Sequence, residues 1–187
     1  MTQIILIALG FLGVALLLIS ISWGYRWMRF QTILRFPLAR GKANFTIKKA
    51  SFYSICFYEA RYAKSSGNFR LDVIDAQTKL TIPSKEFLIK PQFFKDLGVG
   101  LEFLQLRFKK TGDYILELEH QEDLIVKTTM IPLARFFQKK APTNQIEVMV
   151  KTSLPIWKRI LTIIFLVFGI NIIAWGIITL INPEIFN

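Results

Sequence analysis

The chain has 187 residues, 52% of them hydrophobic and 20% charged, with a formal net charge of +11. It is too apolar for an average soluble domain and too charged to lie wholly in lipid, so the apolar residues must be segregated along the sequence. Cys56 is the only cysteine, which excludes an intrachain disulfide and any cysteine-based metal site.

The first predicted element is an N-terminal transmembrane helix within residues 1–25. Ile4 to Trp23 is a run of 20 residues without an ionisable side chain. As a helix it reaches about 30 Å, the thickness of a hydrocarbon core. A cleavable signal peptide would carry a basic n-region, a shorter apolar stretch and a small-x-small cleavage site. Here Trp23, Gly24, Tyr25, Arg26 and Trp27 read instead as an interfacial anchor, and the helix is expected to remain uncleaved.

Residues 26–42 are predicted as a basic-aromatic juxtamembrane segment. Arg26, Trp27, Arg29, Arg35 and Arg40 combine a ring that favours the headgroup level with guanidinium groups that pair with phosphate. Lys158 and Arg159 supply the same headgroup chemistry ahead of the C-terminal helix.

Between residues 43 and 152 helical periodicity is scarce and two-residue alternation recurs. Phe69, Leu71 and Val73 alternate with Arg70 and Asp72; Leu104, Leu106 and Phe108 with Gln105 and Arg107; Tyr114, Leu116 and Leu118 with Glu117; Ile146, Val148 and Val150 with Glu147. Each pattern is a strand with one face buried and one wet. Turns are expected at Ser65–Asn68, Gly98–Gly100, Thr111–Asp113 and Ala141–Asn144. This spacing predicts an all-β domain, an antiparallel β-sandwich or a barrel. An internal echo accompanies it: Phe45-x-Ile47-Lys48-Lys49-x-x-x-Tyr53-x-Ile55-x-Phe57 matches Leu106-x-Phe108-Lys109-Lys110-x-x-x-Tyr114-x-Leu116-x-Leu118 at a constant offset of 61. Both read as strand, basic turn, then a strand opening with Tyr. They are either corresponding hairpins in two halves of one sandwich or two amphipathic hairpins that look alike.

The Lys110-Thr111-Gly112-Asp113-Tyr114 turn ahead of Leu116 and Leu118 resembles the "G-x-Y" strand opening of immunoglobulin-like and jelly-roll modules of surface and periplasmic proteins. With its flanking helices the chain resembles uncharacterised bacterial two-pass membrane proteins that carry a β-sandwich between their helices. That resemblance implies a non-catalytic domain, often outside the cytoplasm, and brings no functional residues.

Within the domain, His120 is the only histidine, so a catalytic triad or a histidine metal site would have to pass through it. The stretch Glu119-His120-Gln121-Glu122-Asp123 reads as a polar turn, and no phosphate-cradling glycine loop, zinc spacing or nucleophile elbow is present. No catalytic residue, metal or cofactor is predicted. Arg135, Phe136, Phe137, Lys139 and Lys140 form a candidate lipid or partner surface, with a similar mixture at Lys90, Phe93, Phe94 and Lys95; the alternative is that the rings are core and the charges solvated.

The last predicted element, in residues 153–187, is a C-terminal transmembrane helix followed by a short tail. Ile160 to Ile181 is 22 residues without a charge, about 33 Å as a helix. Asn171 lies at its middle, where an amide is costly unless paired. It shares its depth with Gly10 and Gly13, so the two helices are expected to pack there, unless Asn171 pairs with a partner subunit.

All Lys and Arg residues fall between the two apolar runs, and the outer tails carry none. This charge distribution predicts a cytoplasmic domain and external termini, as in a bacterial inner (plasma) membrane, whereas the sandwich type points outside. The expected role is a non-enzymatic accessory subunit or protein-binding module at the membrane surface, with a handler of anionic lipid or a small ligand as the rival. Membrane lipid and a protein partner are expected, nucleic acid is not, and a channel would require an oligomer.

Overall fold

The computed structural model describes residues 2–88, 90–96, 98–129, 133 and 137–182, with 2–7 and 180 described by backbone alone. The chain divides into two compact units, residues 31–153 and the pair of terminal segments 1–30 and 154–187.

The central unit is antiparallel β-structure. Its strands are β1 (Thr32–Pro37), β2 (Lys42–Ile47), β3 (Phe52–Tyr58), β4 (Tyr62–Ser65), β5 (Arg70–Asp75), β6 (Ser84–Glu86), β7 (Gln92–Lys95), β8 (Gly98–Arg107), β9 (Gly112–Glu119), β10 (Leu124–Lys127) and β11 (Glu147–Thr152). The larger sheet has the order β1-β11-β3-β8-β6, with β7 also paired to β8; a second sheet has the order β2-β9-β5, and β10 and β4 form a ribbon.

Alternation decides which side chains enter the core. In β2, Ala43, Phe45 and Ile47 are buried while Lys42, Asn44 and Thr46 are exposed; in β9, Tyr114, Leu116 and Leu118 are buried. They join Phe36, Ile55, Phe57, Val148 and Val150 of the larger sheet in one apolar core. Each fully buried side chain of this size contributes about 1.5–3 kcal/mol. One end of the core is a ring cluster, in which Phe108 stands 4.5 Å from Tyr114, 5.3 Å from Tyr53 and 6.0 Å from Phe45, centroid to centroid.

Two expectations require correction here. The segment 26–42 is not a continuous juxtamembrane stretch: residues up to Met28 complete the first helix, Thr32–Pro37 forms β1 against β11, and Leu38–Arg40 is a single 3-10 turn. The reason is that Leu34 and Phe36 have a core to join, with Phe36 only 3% exposed. Likewise Gly98–Gly100 is not a turn but the start of β8. A Cβ at Gly98 would lie 2.0 Å from the Tyr58 hydroxyl, and one at Gly100 would lie 2.1 Å from the Phe93 ring. The glycines are needed for aromatic rings that cross the strand rather than for a reversal.

The terminal unit is a pair of helices, α1 (Thr2–Met28) and α2 (Ile156–Ile181), that pack on each other. Both are long and apolar enough to cross a membrane. Pro155, at φ −59°, precedes α2 and accepts from the amides of Lys158 and Arg159. A proline suits this position because its missing N–H has no helical partner to lose.

Candidate functional site

Between the helices, contact is set by small and hydroxyl-bearing residues. A Cβ at Gly13 would meet Ile173 at 3.0 Å and the Gly169 carbonyl at 3.2 Å, and one at Gly169 would meet Leu17 at 2.9 Å. Ser20 Oγ donates to the Thr162 carbonyl at 2.9 Å. Gly10, by contrast, faces open space, and Asn171 is exposed, its amide Nδ2 donating to Val167 O of its own helix at 2.7 Å. Of the three residues expected to meet at one depth, the structure therefore brings only Gly13 into the helix interface. Gly169 takes the place opposite it. The mismatch arises because depth fixes only height along a helix; rotation decides which residue faces the neighbour.

One end of this pair carries a collar of rings and cations. Trp23 lies 6.3 Å from Trp157 and 5.9 Å from Phe165, between ring centroids. The Lys158 ammonium is 5.6 Å from the Trp23 ring and 5.3 Å from Trp157, and the Arg159 guanidinium is 5.3 Å from Trp27. Arg159 is only 5% exposed, and its Nε donates to Leu154 O at 2.9 Å. Arg29 covers Tyr25 at 4.6 Å, and Arg26 is exposed. Trp27, Lys158 and Arg159 are thus brought together.

Arg35 and Arg40 belong to the central unit instead. Arg35 projects from β1, pairs with Glu147 of β11, sits 4.2 Å over the Tyr58 ring and lies 3.9 Å from Asp96. Burial opposes its charge, but the Glu147 carboxylate, aided by Tyr58 and Asp96, outweighs that and raises its pKa above the ordinary value. Its guanidinium is committed to the sheet. Arg40 is exposed in the 3-10 turn.

Of the predicted surface at 135–140, Arg135 and Phe136 lie outside the described residues. Phe137 is 89% exposed, Lys139 is exposed, and Lys140 donates to the Glu122 carbonyl. In the other mixed stretch the rings divide: Phe93 is buried, whereas Phe94 is 70% exposed. Lys90 pairs with Glu86 at 2.7 Å, and Lys95 donates to Thr32 Oγ1. Phe94 shares the β6–β7 segment with Leu88, which is 99% exposed. Among the described residues β6 and β7 pair only with β8, so the outer backbone of this interrupted margin has no strand beside it.

His120 stands at φ +51° ahead of a 3-10 turn, Gln121–Asp123, with its Nδ1 3.4 Å from Glu122. Its side chain is 52% exposed. Among the described residues no group of three His, Cys, Asp or Glu side chains could hold a metal ion.

Sequence reasoning missed a buried ion pair. Lys151 of β11 reaches across β3 to Glu102 of β8, Nζ to Oε1 2.8 Å, each side chain 1% exposed. Ser54 donates to Glu102 Oε2 at 2.8 Å, Gln105 donates to Ser153 at 2.9 Å, and the Phe93 ring lies 3.8 Å from the ammonium. The β3–β8 register slips between Ile55, opposite Leu104, and Cys56, opposite Glu102, so that Phe103 is a bulge residue. The available signal was a single charge inside each of two apolar runs, Leu101-Glu102-Phe103-Leu104 and Val148-Met149-Val150-Lys151.

The lysine-turn echo is a repeated turn but not a repeated hairpin, because β2 pairs with β9 and β3 with β8, so each turn carries the chain from one sheet to the other. Tyr53 donates to the Lys49 carbonyl at 2.8 Å and Tyr114 to the Lys110 carbonyl at 3.0 Å, each closing its turn over four residues. Burial raises the pKa of both phenols, and Asp75 adds to the effect at Tyr114.

No protein-family model matches the chain, and no curated protein matches it.

Proposed function

We propose that this is a two-pass integral membrane protein, of the bacterial plasma membrane type, whose β-sandwich binds another protein at the membrane surface without catalysis. The observation that carries the reading is the β6–β7 margin, where Leu88 and Phe94 are 99% and 70% exposed and, among the described residues, no further strand pairs on the outer side. Large apolar side chains held in water beside such an edge favour a partner that adds a strand and covers the rings. Phe137, 89% exposed, supplies a further apolar contact. The helices supply the tether, with the Trp23, Trp27 and Trp157 collar at headgroup level. The concentration of Lys and Arg between the apolar runs supports a cytoplasmic domain, which a reporter fused beyond Asn187 tests directly.

A photo-crosslinking residue placed at Leu88 or Phe94 in living cells is expected to trap one discrete heavier adduct, and the same residue at exposed Asn144 is expected to trap none. Absence of an adduct at both positions, together with recovery of the gently solubilised chain as a lone species, overturns the reading.

A further inference from the structure

Both lysine turns fall at one end of the central unit, and the strand register identifies which end. Ile47, closing β2, lies opposite Gly112, which opens β9; Phe52, opening β3, lies opposite Arg107, which closes β8. The same end is where the chain enters and leaves the unit: Thr32 lies opposite Lys151, Thr152 N–H donates to Gln31 O at 2.9 Å, and Ser153 N–H donates to Phe52 O at 2.9 Å. The turns are joined as well, Phe108 N–H donating to Ser51 O at 3.0 Å. Lys48, Lys49, Lys109 and Lys110 are all exposed, and Arg107 beside them is exposed and lies 5.5 Å over the Phe52 ring.

Among the described residues Asp75 and Asp113 approach this end, and both are engaged. Asp75 accepts from the Gln77 and Thr78 amides at 2.9 and 3.0 Å and feels Lys110 electrostatically. Asp113 accepts from Thr46 Oγ1 at 2.6 Å. The tyrosine hydroxyls fix the backbone from which the lysines project. The result is a cluster of cations on two stiffened turns at the tethered end of the domain.

We propose that Lys48, Lys49, Lys109 and Lys110 form a paired-turn foot that contacts anionic phospholipid headgroups. This rests on the membrane reading above and concerns a surface separate from the β6–β7 margin. The chain passes from Gln31 to the end of α1, and from Ser153 to the start of α2, in three residues each, so the lysines project from the end of the domain that its helices tether. A lysine held near an anionic leaflet favours contact by about fivefold, and the attraction is screened by salt.

The test uses the full chain in lipid nanodiscs, with a fluorophore on Thr111→Cys and lipid carrying a nitroxide on the headgroup. Cys56 is 0% exposed, so the added thiol labels selectively in the folded protein. Quenching is expected to deepen when phosphatidylglycerol joins phosphatidylcholine, and to return to the phosphatidylcholine level in high salt or in a variant with Lys48→Gln, Lys49→Gln, Lys109→Gln and Lys110→Gln. A probe at Asn144→Cys, beside the opposite end of β11, is expected to show no change. Equal quenching in the two lipids, or a phosphatidylglycerol effect that survives in the lysine variant, overturns the proposal. Resistance to alkaline carbonate extraction keeps the two readings apart: a chain released by carbonate sinks the membrane reading, whereas a retained chain with a lipid-blind probe sinks only the foot.

Discussion

Lys151 and Glu102 face each other at 2.8 Å in a setting where each side chain is 1% exposed. Removing both charges from water is costly, and the pair recovers that cost only through its geometry and the added hydrogen bond from Ser54. Lys151→Met leaves a buried carboxylate without its cation and is expected to destabilise the domain by about 3–5 kcal/mol. The double variant Lys151→Met with Glu102→Leu is expected to regain most of that loss. Thermal unfolding of the detergent-solubilised chain measures both, and a double variant no better than the single one contradicts the account.

Gly100→Ala drives a methyl group into the Phe93 ring, since the added carbon would lie 2.1 Å from it. The expected loss is about 1–3 kcal/mol from overpacking. Adding Phe93→Leu should restore part of the stability by making room. Gly112→Ala offers a contrast at another glycine, because nothing lies within 4 Å of its Cβ position; its φ of +152° makes backbone strain the source of any cost there.

For the helices, Gly169→Leu is expected to weaken packing, because even a Cβ there would lie 2.9 Å from Leu17. Gly10→Leu meets open space and should change little. Disulfide trapping between cysteines introduced at Ser20 and Thr162, in membranes, reports the difference: the trapped fraction should fall in the first variant and persist in the second.

The two turn-closing tyrosines predict an alkaline limit. Folding raises the pKa of Tyr53 and Tyr114 through burial, so each favours the protonated phenol in the native state. Their contribution is fully present below the ordinary phenol value of about 10 and is lost as pH rises through the higher folded values. At the acid side the sign reverses: amides of Thr78 and Gln77 hold Asp75 below its ordinary value, so its contribution is lost as pH falls through that lowered value. Tyr53→Phe should cost about 1 kcal/mol at neutral pH from the missing hydrogen bond, and should flatten the alkaline decline in unfolding midpoint.

Much of the sheet structure was legible because its strands alternate. Ala43, Phe45 and Ile47, or Tyr114, Leu116 and Leu118, have one buried face and one wet face, and the chain writes that difference at every second residue. β3 and β8 are less readable, since Ser54, Cys56 and Glu102 are as buried as Ile55 and Leu101, and periodicity vanishes when both faces are covered. β1 was hidden by its composition. Arg35 and its aromatic neighbours read as headgroup chemistry, while the Glu147 that engages Arg35 lies at the other end of the domain sequence. The same separation conceals the Lys151–Glu102 pair: each partner is visible, but their meeting depends on strand order. The lysine turns were visible as an echo, yet their shared end follows only from the register of β2 with β9 and β3 with β8.

β1 and β11 are neighbours, and each joins its helix at the end where Gln31 and Thr152 exchange hydrogen bonds, 2.8 and 2.9 Å long. Tension that drew the two helices apart would therefore act across this ladder like a pull on the open teeth of a zipper, parting Gln31 from Thr152 first and Thr32 from Lys151 next. Strands so joined yield rung by rung rather than all at once. The two rungs nearest the helices would part before the core around Phe57 was disturbed.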